Sequence, residues 1–401
     1  MAALLDLHLG SLEAMLGLCA LLYLLGACWF VLGTRRRHSS TEQTPLVSVV
    51  VAARDEAECI ARCLHVLLTQ NYPQTQYEII VVDDDSTDGT DRIVGEFIGG
   101  PVEVRLLKTE GQGAKKAALS LGVTAAAGEV ILTTDADCQI SPGWIRGMVA
   151  HFTAGVGMVI GFAQIGSPNE INAVRKGYEA VDFTNLMACI WGSAGWGHPL
   201  AASGQNLAYL REAFTAVGGY EKVMHRASGD DVLLMQMIRK TGKWSIAFAS
   251  APETFARHPV TPSWRALIAK RGRWASNATA LAGLDPLFFG YMVITYVFSG
   301  MILAAPLLCW AGLLAPWWAL GAFAVKVLAE WSVFSRGISL SGRRELRRYF
   351  PCWTLLQPLH VVLVGTLGAL GLFRWKGRSH LWGRRVPNRD AKIDLAEPLH
   401  R

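Results

Sequence analysis

Glu78-Ile79-Ile80-Val81-Val82-Asp83-Asp84-Asp85-Ser86-Thr87-Asp88-Gly89 decides the fold of this 401-residue chain. Four consecutive apolar residues without alternation describe a strand covered on both faces, and the run stops abruptly at carboxylates. Ser86-Thr87-Asp88-Gly89 then supplies turn and helix-capping chemistry. The surroundings repeat the theme. Leu46–Ala52 reads as a strand, 56–70 as a helix, 89–97 as a helix and Val102–Leu107 as a strand. A helix over 114–126 leads into a strand at 130–133, which closes on Asp135-Ala136-Asp137. This βαβ alternation predicts an α/β fold with a mostly parallel sheet flanked by helices. Ligands of such sheets bind beyond the carboxyl ends of the strands, where both acidic strings fall.

Composition adds a second compartment. At 51% hydrophobic residues and a mean hydropathy of +0.28, the chain is too apolar for an ordinary soluble protein, and membrane helices are expected at both ends. No charge occurs between Glu13 and Arg35, close to the roughly 20 residues that cross a bilayer. Arg35, Arg36 and Arg37 follow, so the segment reads as an anchor with its N-terminus outside rather than as a cleaved signal. The residues after it then begin in the cytosol, and a bacterial inner membrane is the expected setting. Residues 287–334 suffice for two further helices broken near Pro316-Trp317-Trp318, and 355–373 form a third apolar run. Three full crossings there would put the basic run Arg374–Arg385 outside, so Pro351 and Pro358 leave an interfacial or re-entrant reading open. The expected domains are an anchor (1–37), a catalytic domain (45–261), an interfacial helix (262–285), a membrane region (286–375) and a basic tail (376–401).

The net charge of +6 could suggest nucleic acid as a partner. Its distribution excludes that reading, because the basic runs flank apolar tracts, where anionic lipid head groups lie. The eight cysteines are scattered, without Cys-x-x-Cys pairs, and read as reduced packing residues.

Three acidic strings carry the chemistry. Asp83 and Asp84 stand at a strand mouth, where carboxylates accept from a base or a ribose hydroxyl. Asp135 and Asp137, two apart on an extended segment, point the same way and could hold a hard cation. Gly229-Asp230-Asp231 opens a helix through about Gly242. Between them, Trp191-Gly-Ser-Ala-Gly-Trp196-Gly-His198 and Ser203-Gly204-Gln205-Asn206 read as a glycine, aromatic and amide stretch suited to a sugar or lipid acceptor. Lys115 and Lys116 on the preceding helix could turn charge toward phosphates. Lys270-Arg271-Gly272-Arg273-Trp274 lies on a probable interfacial helix beginning near Thr261.

In this order the motifs resemble those of membrane-bound family 2 glycosyltransferases, the group containing ceramide glucosyltransferases and chitin, hyaluronan and poly-N-acetylglucosamine synthases. The resemblance covers about Pro45 to Trp274 and implies a GT-A-type fold. It implies that Ala53, Glu56, Asp83 and Asp84 hold the nucleoside, that Asp137 with Asp135 binds Mg²⁺ or Mn²⁺, and that Lys115 and Arg273 face the donor phosphates. Asp231 would be the base, with Asp230 beside it, and Gly204, Gln205, Asn206 and Trp274 would meet the acceptor. Lys270 departs from the family's Gln-x-x-Arg-Trp string. The implied activity is inverting transfer of a hexose or N-acetylhexosamine from a nucleoside diphosphate sugar, with UDP expected, to a lipid or glycan at the cytosolic membrane face. A processive polysaccharide synthase and a metal-dependent nucleotidyltransferase are the alternatives, and protein partners are not legible.

Overall fold

The computed structural model describes residues 2–36, 38–109, 115–226, 228–375, 378–381 and 384–385. Arg37 and most of the expected 376–401 tail lie outside them. Along the chain come α1 (Ala2–Gly33), β1 (Val47–Ala53), α2 (Ile60–Leu68), β2 (Tyr77–Asp83), α3 (Thr90–Gly95), β3 (Glu103–Lys108), α4 (Lys115–Ala125) and β4 (Val130–Thr133). Then follow α5 (Trp144–Val149), β5 (Val156–Gly161), β6 (Ala163–Ile165), α6 (Val174–Gly195), β7 (Leu207–Leu210), α7 (Arg211–Ala216), α8 (Val232–Lys240), β8 (Ser245–Ala249) and β9 (Ala256–His258). The last part holds α9 (Trp264–Ala275), α10 (Ala278–Leu284), α11 (Pro286–Trp310), α12 (Pro316–Ser341) and α13 (Phe350–Ala369). Three short antiparallel strands close it: β10 (Phe373–Trp375), β11 (Arg378–Leu381) and β12 (Arg384–Arg385).

Seven strands form the main sheet in the order β3-β2-β1-β4-β7-β5-β8. β1 pairs in parallel with β2 and β4, β2 with β3, and β5 with β8. All seven residues of β2 are buried, as the continuous apolar run predicts. β7 alone runs antiparallel, with Leu207 opposite Thr133 on one side and Ile160 on the other. The reversal has a positional consequence. The chain entering β7 arrives from the same edge at which β1, β2, β4 and β5 end, so residues 203–206 join the strand-end acids there.

A small parallel pair, β6 with β9, is tied to the residues after β4 by a bridge between Gln139 and Arg257. His258 is thereby carried to the Asp137 turn.

Residues 191–195, read as part of a stretch suited to a sugar or lipid acceptor, are the last turns of α6. Their glycines serve helix packing. A Cβ on Gly192 would lie 2.2 Å from the Phe30 carbonyl oxygen, and one on Gly195 would lie 2.1 Å from that of Gly33. The two helix backbones touch, which only glycine permits.

Among the described residues, four helices are long and apolar enough to cross a membrane: Gly10–Gly33, Pro286–Trp310, Pro316–Ser341 and Arg344–Ala369. The helix beginning at Pro316 continues past the expected Phe334 to Ser341. α13 meets α11, α12 and the catalytic domain. Near its start, the Thr354 hydroxyl donates to Glu330, which also accepts from Tyr23 of α1. Near its end, Thr366 meets the Tyr296 hydroxyl at 2.9 Å, and Phe298, two residues on, packs against the same Tyr23 with ring centroids 5.3 Å apart. Both ends of the segment also touch elements outside the membrane bundle. Tyr349 donates to the Ile171 carbonyl at 3.0 Å, and Gly368 packs on Ala275 so closely that a Cβ there would sit 2.5 Å from the alanine Cβ. Between these two contacts Trp353 donates to Asp182 of α6 at 3.3 Å, so α13 lies against the catalytic domain along its length.

Candidate active site

At the nucleoside end, the Asp84 amide donates to the carbonyl of buried Ala53 at 2.8 Å, welding the ends of β1 and β2. The Asp84 carboxylate accepts from Thr109 Oγ1 at 2.8 Å and lies 3.5 Å from Arg54 Nη1. Asp83 is 3% exposed, and its Oδ1 has no hydrogen-bond partner among the described residues. A buried acceptor without a donor is costly, and a ligand N–H would relieve it.

The rest of the string laces two loops together. Asp55 Oδ1 accepts from the Thr87 amide at 2.9 Å, Ser86 Oγ accepts from the Asp55 amide at 2.9 Å, and Asp88 Oδ2 accepts from the Ala57 amide at 2.8 Å. Glu56 donates its amide to Thr90 Oγ1, and its carboxylate accepts from the Cys59 thiol at 3.1 Å. These bonds hold residues 54–57 out of helical conformation, so α2 starts at Ile60 rather than near Glu56.

Asp135 and Asp137 occupy a turn closed by the Cys138 amide on the Asp135 carbonyl at 3.0 Å, not the extended segment expected. They converge all the same. Ligand atoms of Asp135, Asp137 and Cys138 lie within 4.8 Å of one another. Burial holds the Cys138 thiol well above its usual range, leaving the two carboxylates as the donors suited to a hard cation. Asp137 Oδ1 is buried without a partner among the described residues, while Oδ2 lies 3.2 Å from His258 Nε2. His258 escaped the sequence reading because nothing local marks it. Only the β6–β9 pairing brings it here.

Lys115 corrects an expectation. Its ammonium does not stand free for phosphates but contacts Asp135 Oδ1 at 2.5 Å and Asp230 Oδ2 at 3.1 Å, bridging two acidic strings. Lys116 turns away and donates to the carbonyls of Arg226 and Ser228 at 2.6 and 3.0 Å.

Asp231 caps α8, accepting from the Val232 amide at 2.6 Å and the Gly204 amide at 2.9 Å. Burial, reinforced by neighbouring Asp230, raises its carboxyl from 3.8 to about 6. Asp230, although buried, is held down to about 2 by Lys115 and Lys116. Two adjacent acids are thus split into a permanent anion and a proton acceptor poised near neutrality. Burial lowers Arg273, against the opposing pull of Asp230, Asp231 and Asp135, which places this guanidinium among the acids.

The acceptor set divides. Gly204 contributes its amide to Asp231, and Gln205 offers its carbonyl to Thr134 Oγ1 at 3.1 Å. Asn206, expected to read an acceptor, is fully buried. Its amide donates to the Phe162 and Thr254 carbonyls at 3.0 and 2.7 Å and accepts from Trp144 Nε1 at 2.8 Å. Its polar atoms are filled within the protein, so it braces the loop instead. Trp274 packs against Phe183 with ring centroids 6.1 Å apart and faces the Arg271 guanidinium at 4.4 Å.

The model for glycosyl transferase family 2 matches residues 48–196, and that for glycosyl transferase family group 2 matches residues 130–369. The chain belongs to glycosyl transferase family group 2. That membership sets aside the nucleotidyltransferase reading and makes the protein a glycosyltransferase acting with nucleotide-sugar donors. Glycosyltransferase AglE of Haloferax volcanii is 29% identical over 223 residues, covering 55% of this chain and 69% of that protein. A beta-monoglucosyldiacylglycerol synthase of Nostoc sp. is 34% identical over 127 residues, 30% of this chain but only 27% of that protein. A mannosyltransferase from Pyrobaculum calidifontis, solved with GDP-Man and Mn²⁺, shares the fold with a TM-score of 0.55 at 19% identity, covering 91% of this chain and 98% of that one. The sheet order and this likeness make the fold GT-A.

Proposed function

We propose that this chain transfers a hexose or N-acetylhexosamine, with inversion, from a nucleoside diphosphate sugar to a lipid acceptor at the cytosolic membrane face. The observation that carries the proposal is the gathering of Asp135, Lys115, Asp230 and Asp231 into one linked set at the sheet edge, 2.5 and 3.1 Å apart at its Lys115 contacts. Asp83 and Asp84 would hold the nucleoside, with UDP the expected nucleotide. Asp137 and Asp135 would hold Mg²⁺ or Mn²⁺, which fits the unpartnered Asp137 Oδ1. When bound, the cation supplies neutralisation of the departing diphosphate.

The protein's own groups account for the remainder. Asp231 accepts the acceptor hydroxyl proton as that oxygen attacks the anomeric carbon from the face opposite the diphosphate. The bond from the anomeric carbon to the diphosphate breaks with inversion, and the negative charge it leaves faces Arg273. Asp230 keeps Asp231 basic enough to take the proton, while Lys115 keeps Asp230 ionised.

A lipid acceptor is supported by the membrane helices against the catalytic domain and by the relative named for monoglucosyldiacylglycerol synthesis. The contacts of α13 with the catalytic domain favour three crossings, α1, α11 and α12, with α13 in the membrane plane. The catalytic domain and the basic run 374–385 then share the cytosolic side, as the positive-inside preference requires. So few crossings favour single transfer over extrusion of a polymer.

Incubating purified membranes with a panel of nucleotide sugars and Mn²⁺ or Mg²⁺, followed by mass analysis of the lipid and polymer fractions, tests this reading. A glycolipid of inverted anomeric configuration with nucleoside diphosphate release is expected. Retention, pyrophosphate release or a polymer product would refute it. A reporter fused after Leu372 should be active only on the cytosolic side.

A further inference from the structure

His198 follows the end of α6 and opens the segment that leads to Gly204, and its ring is held from two sides. Arg239 Nη1 lies 3.0 Å from His198 Nδ1, and a guanidinium can only donate. Nδ1 therefore accepts, and Nε2 carries the hydrogen that Asp285 takes at 3.1 Å. Asp285 is 1% exposed and collects further donors: Gln236 Nε2 at 3.1 Å, Arg239 Nη2 at 3.0 Å and the Phe288 amide at 3.1 Å. Gln236, fully buried, closes the network. It donates to the Leu200 carbonyl at 2.9 Å and accepts from Arg239 Nη2 at 2.8 Å.

Each member sits on an element that reaches the base or the membrane. Gln236 and Arg239 belong to α8, about 8 and 12 Å along the helix from its cap, Asp231. Asp285 caps α11, the first of the long apolar helices after the catalytic domain. His198 and Leu200 start the segment whose Gly204 amide donates to Asp231 at 2.9 Å. One carboxylate thus fastens α8, α11 and the 198–206 segment together.

Stability alone does not call for such a network. Apolar residues of similar volume often pack an interior at least as favourably as a buried ion pair, because the two charges must be stripped of water. Leu233, Leu234 and Ile238 already seal the apolar face of α8 into the core. What the polar groups add is direction. A carboxylate that accepts from His198, Gln236, Arg239 and Phe288 at once admits one arrangement, where packing would tolerate several. A 198–206 segment free to move against α8 would lengthen the Gly204 bond to the base.

We propose that Asp285, His198, Gln236 and Arg239 form a positioning network that holds the Gly204 amide on Asp231 and ties the placement of the base to the start of α11. The inference deepens the proposed function and rests on its assignment of Asp231 as base. The four are positioning residues, acting on the acceptor proton only through Asp231. The chemical consequence is specific. Burial and Asp230 raise the Asp231 carboxyl, and the Gly204 bond opposes them by stabilising the carboxylate, so losing that bond raises it further. Asp230, Lys115, Lys116, Arg273 and the buried Tyr220 also act on Asp231. None belongs to the network, so a change at His198 leaves their charges in place.

The test uses the full-length protein in dodecyl maltoside micelles. His198→Ala deletes the ring but leaves Asp285 its bonds to Gln236, Arg239 and Phe288, so the fold should hold. Hydrogen–deuterium exchange of residues 200–206 should quicken by about tenfold or more, with β7 unchanged. Nucleoside diphosphate release is then followed against pH from UDP-glucose, UDP-N-acetylglucosamine or GDP-mannose, whichever the membrane panel shows to be used. In His198→Ala, kcat should be about tenfold lower and donor KM within about twofold of wild type, while the acid limb of kcat/KM moves alkaline by about half a unit or more. His198→Gln, whose amide can donate to Asp285 and accept from Arg239, should restore the wild-type values. Asp285→Asn keeps an oxygen for the Phe288 amide; it should repeat the alanine result, and it serves should His198→Ala fail to fold.

A merely structural network would lower the folded fraction without moving the limb. Wild-type exchange in His198→Ala overturns the proposal, as does failure of His198→Gln to restore function. A wild-type profile without an acid limb, or a limb that persists in Asp231→Asn, overturns the base assignment and this inference with it. A limb that Asp231→Asn abolishes and His198→Ala leaves unmoved overturns this inference alone. The exchange measurement needs no substrate, so it still decides whether the network holds Gly204 when no transfer is found.

Discussion

Asp231→Asn removes the proton acceptor while keeping a side chain of nearly the same shape. Its Oδ atoms accept from the Val232 and Gly204 amides, and an asparagine oxygen can keep one of these bonds, so the loop and the start of α8 should survive. A positioned general base contributes about 10²- to 10⁴-fold, and kcat should fall by that amount. The pH profile sharpens the prediction. Burial and Asp230 raise Asp231 from 3.8 to about 6, a preference for the neutral form of about 3 kcal/mol. The base works deprotonated, so kcat/KM of the wild type should climb with pH and reach half its plateau near 6. Asp230→Asn removes the repulsion that contributes to the shift and should move this limb toward acid. Nucleoside diphosphate release, measured across the range with saturating donor and cation, reads all three proteins. Nucleotide affinity of Asp231→Asn should stay within about threefold of wild type, since the residue is assigned to the acceptor side. If Asp231→Asn retains more than a tenth of wild-type kcat, or if the same acid limb persists in it, Asp231 is not the base.

Asp137→Asn should weaken Mn²⁺ and Mg²⁺ binding in calorimetry by roughly tenfold or more, and His258→Ala, which removes the ring 3.2 Å from Asp137, should do so by about tenfold. Equal cation affinity in either variant would remove that residue from the metal site. Asn206→Ala deletes three buried hydrogen bonds and orphans two carbonyls, so thermal unfolding should report a loss of roughly 2–4 kcal/mol, with donor affinity kept in whatever protein remains folded. Gly192→Val would press its side chain into the Phe30 carbonyl, so detergent extracts should yield markedly less monodisperse protein, whereas the same change at exposed Gly283, where nothing lies within 4 Å, should be mild.

The strands and their terminal acids were readable because each signal is local. Ile79–Val82 is unbroken and apolar, so a buried strand follows, and a carboxylate directly after it has only the sheet edge to occupy. The turn at 135–138 departs from the extended segment expected, yet side chains two residues apart still converge when the backbone curls. Other features depend on contacts that no short window contains. The antiparallel course of β7 turned Asn206 inward, and the β6–β9 pairing delivered His258. Lys115 and Lys116 are adjacent and chemically alike, yet one reaches Asp135 and Asp230 while the other ties down Arg226 and Ser228. Gly192 and Gly195 imitate a loop in sequence because close approach of two helices makes the same demand for a missing side chain.

The contacts that hold both ends of α13 against elements outside the membrane bundle bear on how an acceptor would reach the enzyme. With α13 in the membrane plane, as proposed, protein rather than hydrocarbon would lie beneath the acceptor site, and an acyl tail would have to trail sideways into the surrounding leaflet. Substrate would then arrive by lateral diffusion in two dimensions, and saturation would follow its mole fraction in the surface rather than its amount per volume. Diluting the membrane with inert lipid at constant total acceptor should slow the reaction, much as thinning a crowd slows chance meetings.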